Sequence, residues 1–162
     1  MGFELIPISP GILKQRAVSE VLQCNRYSSQ YGLSLTQVQA LELVQTRDDM
    51  LKAFGRIEFG TGILDSIIKE FCDSPYLSMQ NYEQTLHDLV EIFYYYKNDT
   101  IGLMSDDELL KYMKNSYDNT CRGSLEMLSG SELHQLARNL RFGLSIDYSE
   151  NGKLESGYED YE

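Results

Sequence analysis

SMQNYEQTLHDLVEIFYYYK, residues 78–97, carries apolar side chains at helical spacing over most of its length. Tyr82, Leu86, Leu89, Val90 and Phe93 follow one another mainly at intervals of three and four residues, which places them on one side of an α-helix. The sequence therefore predicts a long helix over residues 78–97 that buries this side against other helices.

Turn residues divide the rest of the chain into further segments with the same apolar spacing. We expect Thr36 and Ser105 to be N-caps, with Ser105 and Glu108 forming a capping box. The expected helix stops are a serine before a proline and four glycines: Ser74, Gly32, Gly55, Gly130 and Gly143. The sequence thus predicts an all-α fold, a single-domain bundle of six or seven helices within residues 1–146.

One predicted helix, between Thr36 and Gly55, has a clear apolar set. Its expected inward side chains are Val38, Leu41, Val44, Met50, Leu51 and Phe54.

Residues 56–59, Arg-Ile-Glu-Phe, alternate charged and apolar side chains, a pattern typical of a short strand. The expected partner is the other extended stretch, residues 3–8. Because a two-stranded β ribbon is marginal alone, it would have to lie against the helices. The predicted fold therefore has room for a minor ribbon.

The chain of 162 residues carries 25 acidic and 14 basic side chains, a net charge of −11. Residues 147–162 alone hold six acidic and one basic group, and we expect them to form a flexible acidic tail. Residues 34–44 have a pattern similar to a helix-turn-helix motif, but they contain no basic residue to contact phosphates. We expect no nucleic-acid partner and no membrane partner.

Cys24, Cys72 and Cys121 lie far apart and form no Cys-x-x-Cys pair. This spacing suits neither a zinc ribbon nor a small disulfide scaffold. We interpret them as buried thiols in a reducing compartment, and the lack of a signal-peptide pattern at Met1 predicts a cytoplasmic protein.

Glu83, His87 and Glu91 lie at i, i+4 and i+8 on the long predicted helix. They could offer a metal ion two carboxylates and an imidazole from one side of the helix. The alternative is a solvated surface with pairs between carboxylate and imidazole groups. The only other histidine, His134, is expected at the surface or in an interhelical hydrogen bond.

Tyr94, Tyr95 and Tyr96 are consecutive, so on a helix they span about 200° of its circumference. We expect at least one exposed ring and at least one that packs inward. Tyrosine is favoured in recognition surfaces, which makes the three a candidate interaction surface. The alternative is that the rings hold this helix end against its neighbours.

Gly60-Thr61-Gly62 precedes a predicted helix, where backbone N–H groups attract phosphate. No third glycine follows at the spacing of a dinucleotide-binding motif, and no βαβ alternation surrounds it. We therefore expect the glycines to allow a tight turn and Thr61 to cap the helix.

Several segments together resemble a family of small, uncharacterised proteins from Firmicutes-type bacteria over about residues 3–141. They are Tyr31-Gly32-Leu33 with Leu35-Thr36, residues 55–60, 71–77 and 92–98, and residues 105–109. The resemblance implies a bacterial, cytoplasmic protein with a domain of unknown function, and it implies no activity and no catalytic residue.

The residues favour a non-enzymatic module for protein–protein interaction or self-association, with no catalytic residue and no cofactor. The alternative is a metal-dependent or small-molecule enzyme that uses Glu83, His87 and Glu91.

Overall fold

The computed structural model describes residues 10–143, and the described chain is an all-α single domain. Its helices are α1 (Pro10–Gln23), α2 (Asn25–Ser28), α3 (Gln37–Ala53), α4 (Leu64–Phe71), α5 (Tyr82–Asp99), α6 (Asp106–Asp118), α7 (Leu125–Met127) and α8 (Leu133–Arg141). Six of these have eight residues or more, which confirms the predicted bundle. None of the described helices is both long enough and apolar enough to span a membrane.

Helix α5 lies at the centre of the bundle, in contact with α3, α4, α6 and α8. It begins at Tyr82, four residues later than predicted. The reason is Asn81, whose side chain accepts a bond from the N–H of Ser78 and donates one to the carbonyl of Tyr76, holding residues 76–81 in a turn. The predicted apolar side is buried, and its members are Tyr82, Leu86, Leu89, Val90 and Phe93.

The predicted N-caps Thr36 and Ser105 are confirmed. The side chains of Thr36 and Ser105 each accept a hydrogen bond from the backbone N–H three residues on. The side chains of Gln39 and Glu108 in turn accept hydrogen bonds from the backbone N–H groups of Thr36 and Ser105. Gly32 ends the first helical segment with φ +77°, and the bond from Leu33 N–H to Ser28 C=O completes a Schellman motif.

The remaining predicted glycine stops have different outcomes. Gly55 and Gly143 adopt positive φ at the ends of α3 and α8, as predicted. Gly130 does not end a helix, because the chain passes from α7 to α8 through a π-helical turn over residues 128–132. Leu128 and Leu133, five residues apart, are both fully buried, and the wider turn keeps the two on the same side.

The predicted inward side of α3 is wrong at Val38 and Leu41, which are exposed. The buried side is made by Ala40, Leu43, Val44, Arg47 and Leu51. At 100° per residue, Val38 and Leu41 lie about 160° and about 100° away from Ala40 around the helix axis. The prediction failed because a small residue and an arginine contribute to the inner surface.

The predicted ribbon is not formed in the described part of the chain, where residues 56–59 are a loop without strand pairing. Its expected partner, residues 3–8, lies outside the described residues, as does the predicted acidic tail, residues 147–162.

All three cysteines are free and buried, as predicted. Burial, followed by the nearby charge of Asp65, raises the pKa of the Cys24 thiol to about 11. Burial, followed by Glu132, raises the pKa of Cys121 to about 11. Both thiols thus resist ionisation in the folded protein.

We expect alkaline pH to destabilise the protein through these thiols. A raised folded-state pKa means that the unfolded chain releases the protons first, so the stability is fully present below about pH 9 and is lost as pH rises to about 11. The melting temperature, measured at intervals over this range, should fall. In Cys24→Ala/Cys121→Ala the fall should be shallower, and identical slopes for the two proteins would contradict the explanation.

Candidate functional site

Glu83 and His87 lie together on α5, as their spacing predicts, with Oε2 of Glu83 3.5 Å from Nε2 of His87. Glu91 is exposed and does not belong to this group. Its place is taken by Glu42 on α3, and the donor atoms of Glu42, Glu83 and His87 all lie within 4.8 Å of one another. The structure therefore brings together two of the three predicted residues, and Glu42 lies beside them.

Of the three tyrosines, Tyr94 and Tyr96 are buried and only Tyr95 is exposed. The hydroxyl of Tyr96 donates to the carbonyl of Ser129, tying α5 to the π-helical turn. The expectation of one exposed and one inward ring is confirmed, but Tyr94 and Tyr96 cannot contact a partner in this fold. The candidate surface is reduced to a single ring.

Tyr94 belongs to a buried polar cluster beneath residues 56–60. Its hydroxyl donates to Oε1 of Glu58 at 2.5 Å. Burial, the hydrogen bond and the charge of Glu58 raise the pKa of this phenol well above its ordinary value. Tyr94 therefore stays protonated and serves as a permanent donor to the carboxylate.

Two arginines complete the cluster. The guanidinium of Arg47, which is 5% exposed, lies 3.9 Å from Glu58, donates to Asp48 at 2.9 Å and donates to the carbonyl of Gly60 at 3.0 Å. Arg56 lies 3.9 Å from the other oxygen of Glu58 and 6.0 Å from the centre of the Tyr94 ring. The carboxylate of Glu58 is thus surrounded by positive charge and donors, and it anchors the loop to α3 and α5.

The turn after this segment is built around the same carboxylate. Gly60 and Gly62 have φ of +61° and +58°, which confirms the tight turn. A Cβ at Gly62 would lie 1.9 Å from Oε1 of Glu58, so a carboxylate occupies the place beside the turn. The negative charge of this carboxylate disfavours phosphate binding at the turn. The predicted cap is wrong, since α4 starts after Ile63 without a side-chain cap and Thr61 contributes only its carbonyl, to Leu64.

The anchored segment turns its apolar residues outward. Ile57 and Phe59 are 83% and 88% exposed, on either side of the inward Glu58. In the described chain, no acceptor is found for the N–H groups of Ile57, Glu58 and Phe59. The alternation of charged and apolar side chains over residues 56–59 could be read from the sequence. Which of these side chains face solvent and which face the core could not.

An open cavity of about 560 Å³ adjoins the segment. It lies between α1, α3 and the loop, and its lining includes Leu13, Lys14, Arg16, Phe59 and Gly60. Leu13 is exposed like Phe59, so apolar surface continues from the loop onto α1.

None of the three thiols is hydrogen-bonded to a histidine in the described part of the chain. The three thiols are buried with raised pKa values, and His134 lies exposed on α8. The described chain thus presents two candidate sites, the exposed apolar side chains of residues 57–59 and the group formed by Glu42, Glu83 and His87.

A family model matches the chain over residues 20–146, and it describes a family of unknown function, DUF6323. The resemblance drawn from the sequence is thereby confirmed as to a family without a known function. No curated protein and no solved structure matches the chain.

Proposed function

We propose that this chain, which belongs to the DUF6323 family of unknown function, is a protein-interaction module that binds an extended segment of a partner protein along residues 57–59. The observation that carries the proposal is the outward exposure of Ile57 and Phe59 on a segment whose N–H groups have no acceptor among the described residues. Residues 57–59 are called the recognition segment below.

The recognition segment offers the two elements of strand addition. Its N–H groups, which meet no acceptor within residues 10–143, can pair with the carbonyls of an extended peptide, and its apolar side chains can pack against alternate side chains of that peptide. Exposed apolar surface next to a groove is a common mark of a binding site. The neighbouring cavity gives room for the partner's side chains.

The anchor beneath the recognition segment favours binding. Tyr94, Arg47 and Arg56 surround Glu58, so the backbone on either side is already placed in the free protein. A preorganised segment loses less conformational entropy on binding than a mobile loop. The buried charges thus have a role in recognition as well as in folding.

We assign the bound segment to a partner rather than to residues 3–8 of the same chain. The recognition segment lies inside the matched region 20–146, whereas residues 3–8 lie outside it. The three free thiols support a cytoplasmic setting for the complex, since reducing compartments keep thiols unpaired.

The test compares two double variants in affinity purification from the native host. Ile57→Ser/Phe59→Ser removes the recognition side chains, whereas Ile101→Ser/Phe142→Ser removes the same residue types at positions that are 65% and 71% exposed. We expect one partner to be recovered in stoichiometric amount by wild type and by the second variant but not by the first. The purified partner should show at least tenfold weaker binding to the first variant by calorimetry.

Four results would overturn the proposal. One is a partner that is lost with Ile101→Ser/Phe142→Ser instead, and another is failure to recover any partner. The third is a wild-type dimer in sedimentation that the first variant abolishes, since the occupant would then be a second copy. The fourth is strong binding that appears only after residues 1–9 are removed, which would make those residues the natural occupant.

A further inference from the structure

We propose that Glu42 on α3 and Glu83 and His87 on α5 form a binding site for a divalent transition-metal ion, with Zn²⁺ the ion used as probe. The site is separate from the recognition segment and does not depend on the proposed function. It joins two helices that are in direct contact in the bundle.

The donor atoms are close enough to share one ion. One oxygen from each carboxylate and a ring nitrogen of His87 lie within 4.8 Å of one another. Ligands about 2.0 to 2.2 Å from a zinc ion lie roughly 3 to 4 Å apart, so small side-chain rotations bring these three atoms to ligating distance. Glu42 is exposed and Glu83 and His87 are half-buried, which leaves the ion an entry path and leaves a coordination position for water.

Neighbouring residues orient two of the three ligands. Nδ1 of His87 is 2.7 Å from the hydroxyl of Thr46, and with the ring proton on Nδ1 the lone pair of Nε2 faces Glu83. Nε2 of Gln39 donates to Oε1 of Glu83 at 3.2 Å, which leaves Oε2 for an ion. A histidine ligand whose other ring nitrogen is held by a hydrogen bond is usual in metal sites.

The two carboxylates of the group are not neutralised by any lysine or arginine of the described chain. Within the described residues, no lysine or arginine forms an ion pair with Glu42 or Glu83. Oxygens of the two carboxylates lie within 4.8 Å of each other, and a divalent cation between them would relieve their repulsion.

The choice of ion follows from the ligands. An imidazole with two carboxylates suits zinc and other first-row divalent ions better than Mg²⁺, which prefers oxygen ligands alone. Affinity at such a site rises along the first row from Mn²⁺ to Cu²⁺ and falls again at Zn²⁺, which still binds more tightly than Mn²⁺. We therefore expect Zn²⁺ to bind more tightly than Mn²⁺, and Mg²⁺ to have little effect.

The test uses the full chain, free of any histidine tag, titrated with Zn²⁺ by calorimetry and followed by thermal melting. We expect one ion per chain and a raised melting temperature. Glu42→Gln is the first variant, because its exposed side chain can be changed without unfolding the protein, and His87→Ala is the second. Each should weaken binding by tenfold or more, and Thr46→Val should weaken it about tenfold through loss of orientation.

Glu91→Gln and His134→Ala are matched controls, since each removes a metal-ligating group of the same type outside the site. Both should keep the wild-type affinity and stoichiometry. The proposal is overturned if Zn²⁺ leaves the wild-type melting temperature unchanged, because Glu83 and His87 are then an ion pair only. It is equally overturned if Glu42→Gln and His87→Ala bind Zn²⁺ as wild type does, or if a control loses the binding.

Discussion

Replacing Gly123 by alanine is expected to destabilise the protein by roughly 2 to 5 kcal/mol, combining backbone strain with overpacking. Gly123 has φ +83°, a conformation that disfavours any residue with a Cβ. A Cβ there would lie 2.6 to 2.8 Å from Cγ, Cβ and Cδ1 of Tyr76. These atoms are close to the Tyr76 backbone, so a rotation of the side chain cannot remove the clash.

The surrounding contacts leave Tyr76 and Gly123 little room to shift. The ring of Tyr76 packs edge-on against Tyr117, with centroids 6.2 Å apart, and the N–H of Gly123 donates to the carbonyl of Tyr117 at 2.7 Å. The substitution therefore strains the junction between α6 and the turn before α5.

Gly55→Ala is the matched control, because Gly55 has φ +64° but nothing within 4 Å of an added Cβ. We expect it to cost only the conformational part, about 1 kcal/mol. Urea unfolding followed by circular dichroism gives both free energies of unfolding. Equal losses for the two variants would show that Tyr76 moves aside and that the clash carries no cost.

The helices and caps were predictable from sequence because their determinants are local. A capping box needs only Ser105 and Glu108, and a Schellman motif needs only Gly32 with its neighbours. Gly130 misled the prediction for a tertiary reason, since the burial of both Leu128 and Leu133 selects the π-helical turn. Local sequence signals identify the helices, but tertiary packing decides whether a glycine ends a helix or lies within it.

Only part of the candidate metal site could be predicted from the sequence. Glu83 and His87 are one helical turn apart, so their proximity follows from spacing alone. Eight residues, however, turn about 80° beyond two full turns, which carries Glu91 away from Glu83 around the helix. Glu42 reaches the group through the packing of α3 on α5, and no pattern within one helix could have identified it.

The recognition segment shows the same division between local and tertiary information. The alternation of charged and apolar residues could be seen in the sequence. Which of these residues point inward depends on Arg47, which the fold buries on α3. A buried guanidinium requires a carboxylate, and Glu58 supplies one. Ile57 and Phe59 are outward as a consequence, against the usual preference of apolar residues for the interior.

Replacing Glu58 by leucine is therefore expected to cost about 3 kcal/mol of unfolding free energy, because it leaves the buried charge of Arg47 without this carboxylate. The hydroxyl of Tyr94 also loses its acceptor in the core. Arg47 keeps Asp48 and the carbonyl of Gly60, which prevents a larger loss. Urea unfolding measures the change.

The double variant Glu58→Leu/Arg47→Met separates the charge from other effects of the substitution. If the cost comes from the buried guanidinium that has lost Glu58, removing that guanidinium should restore about 1 kcal/mol or more relative to Glu58→Leu alone. Tyr94→Phe, which leaves both charges in place, should cost only about 1 kcal/mol. If the losses of unfolding free energy at Glu58 and Arg47 were strictly additive, the two side chains, 3.9 Å apart, would have no energetic coupling. In that case the outward placement of Ile57 and Phe59 would need a cause other than the buried pair, and the cluster around Glu58 would not preorganise the recognition segment.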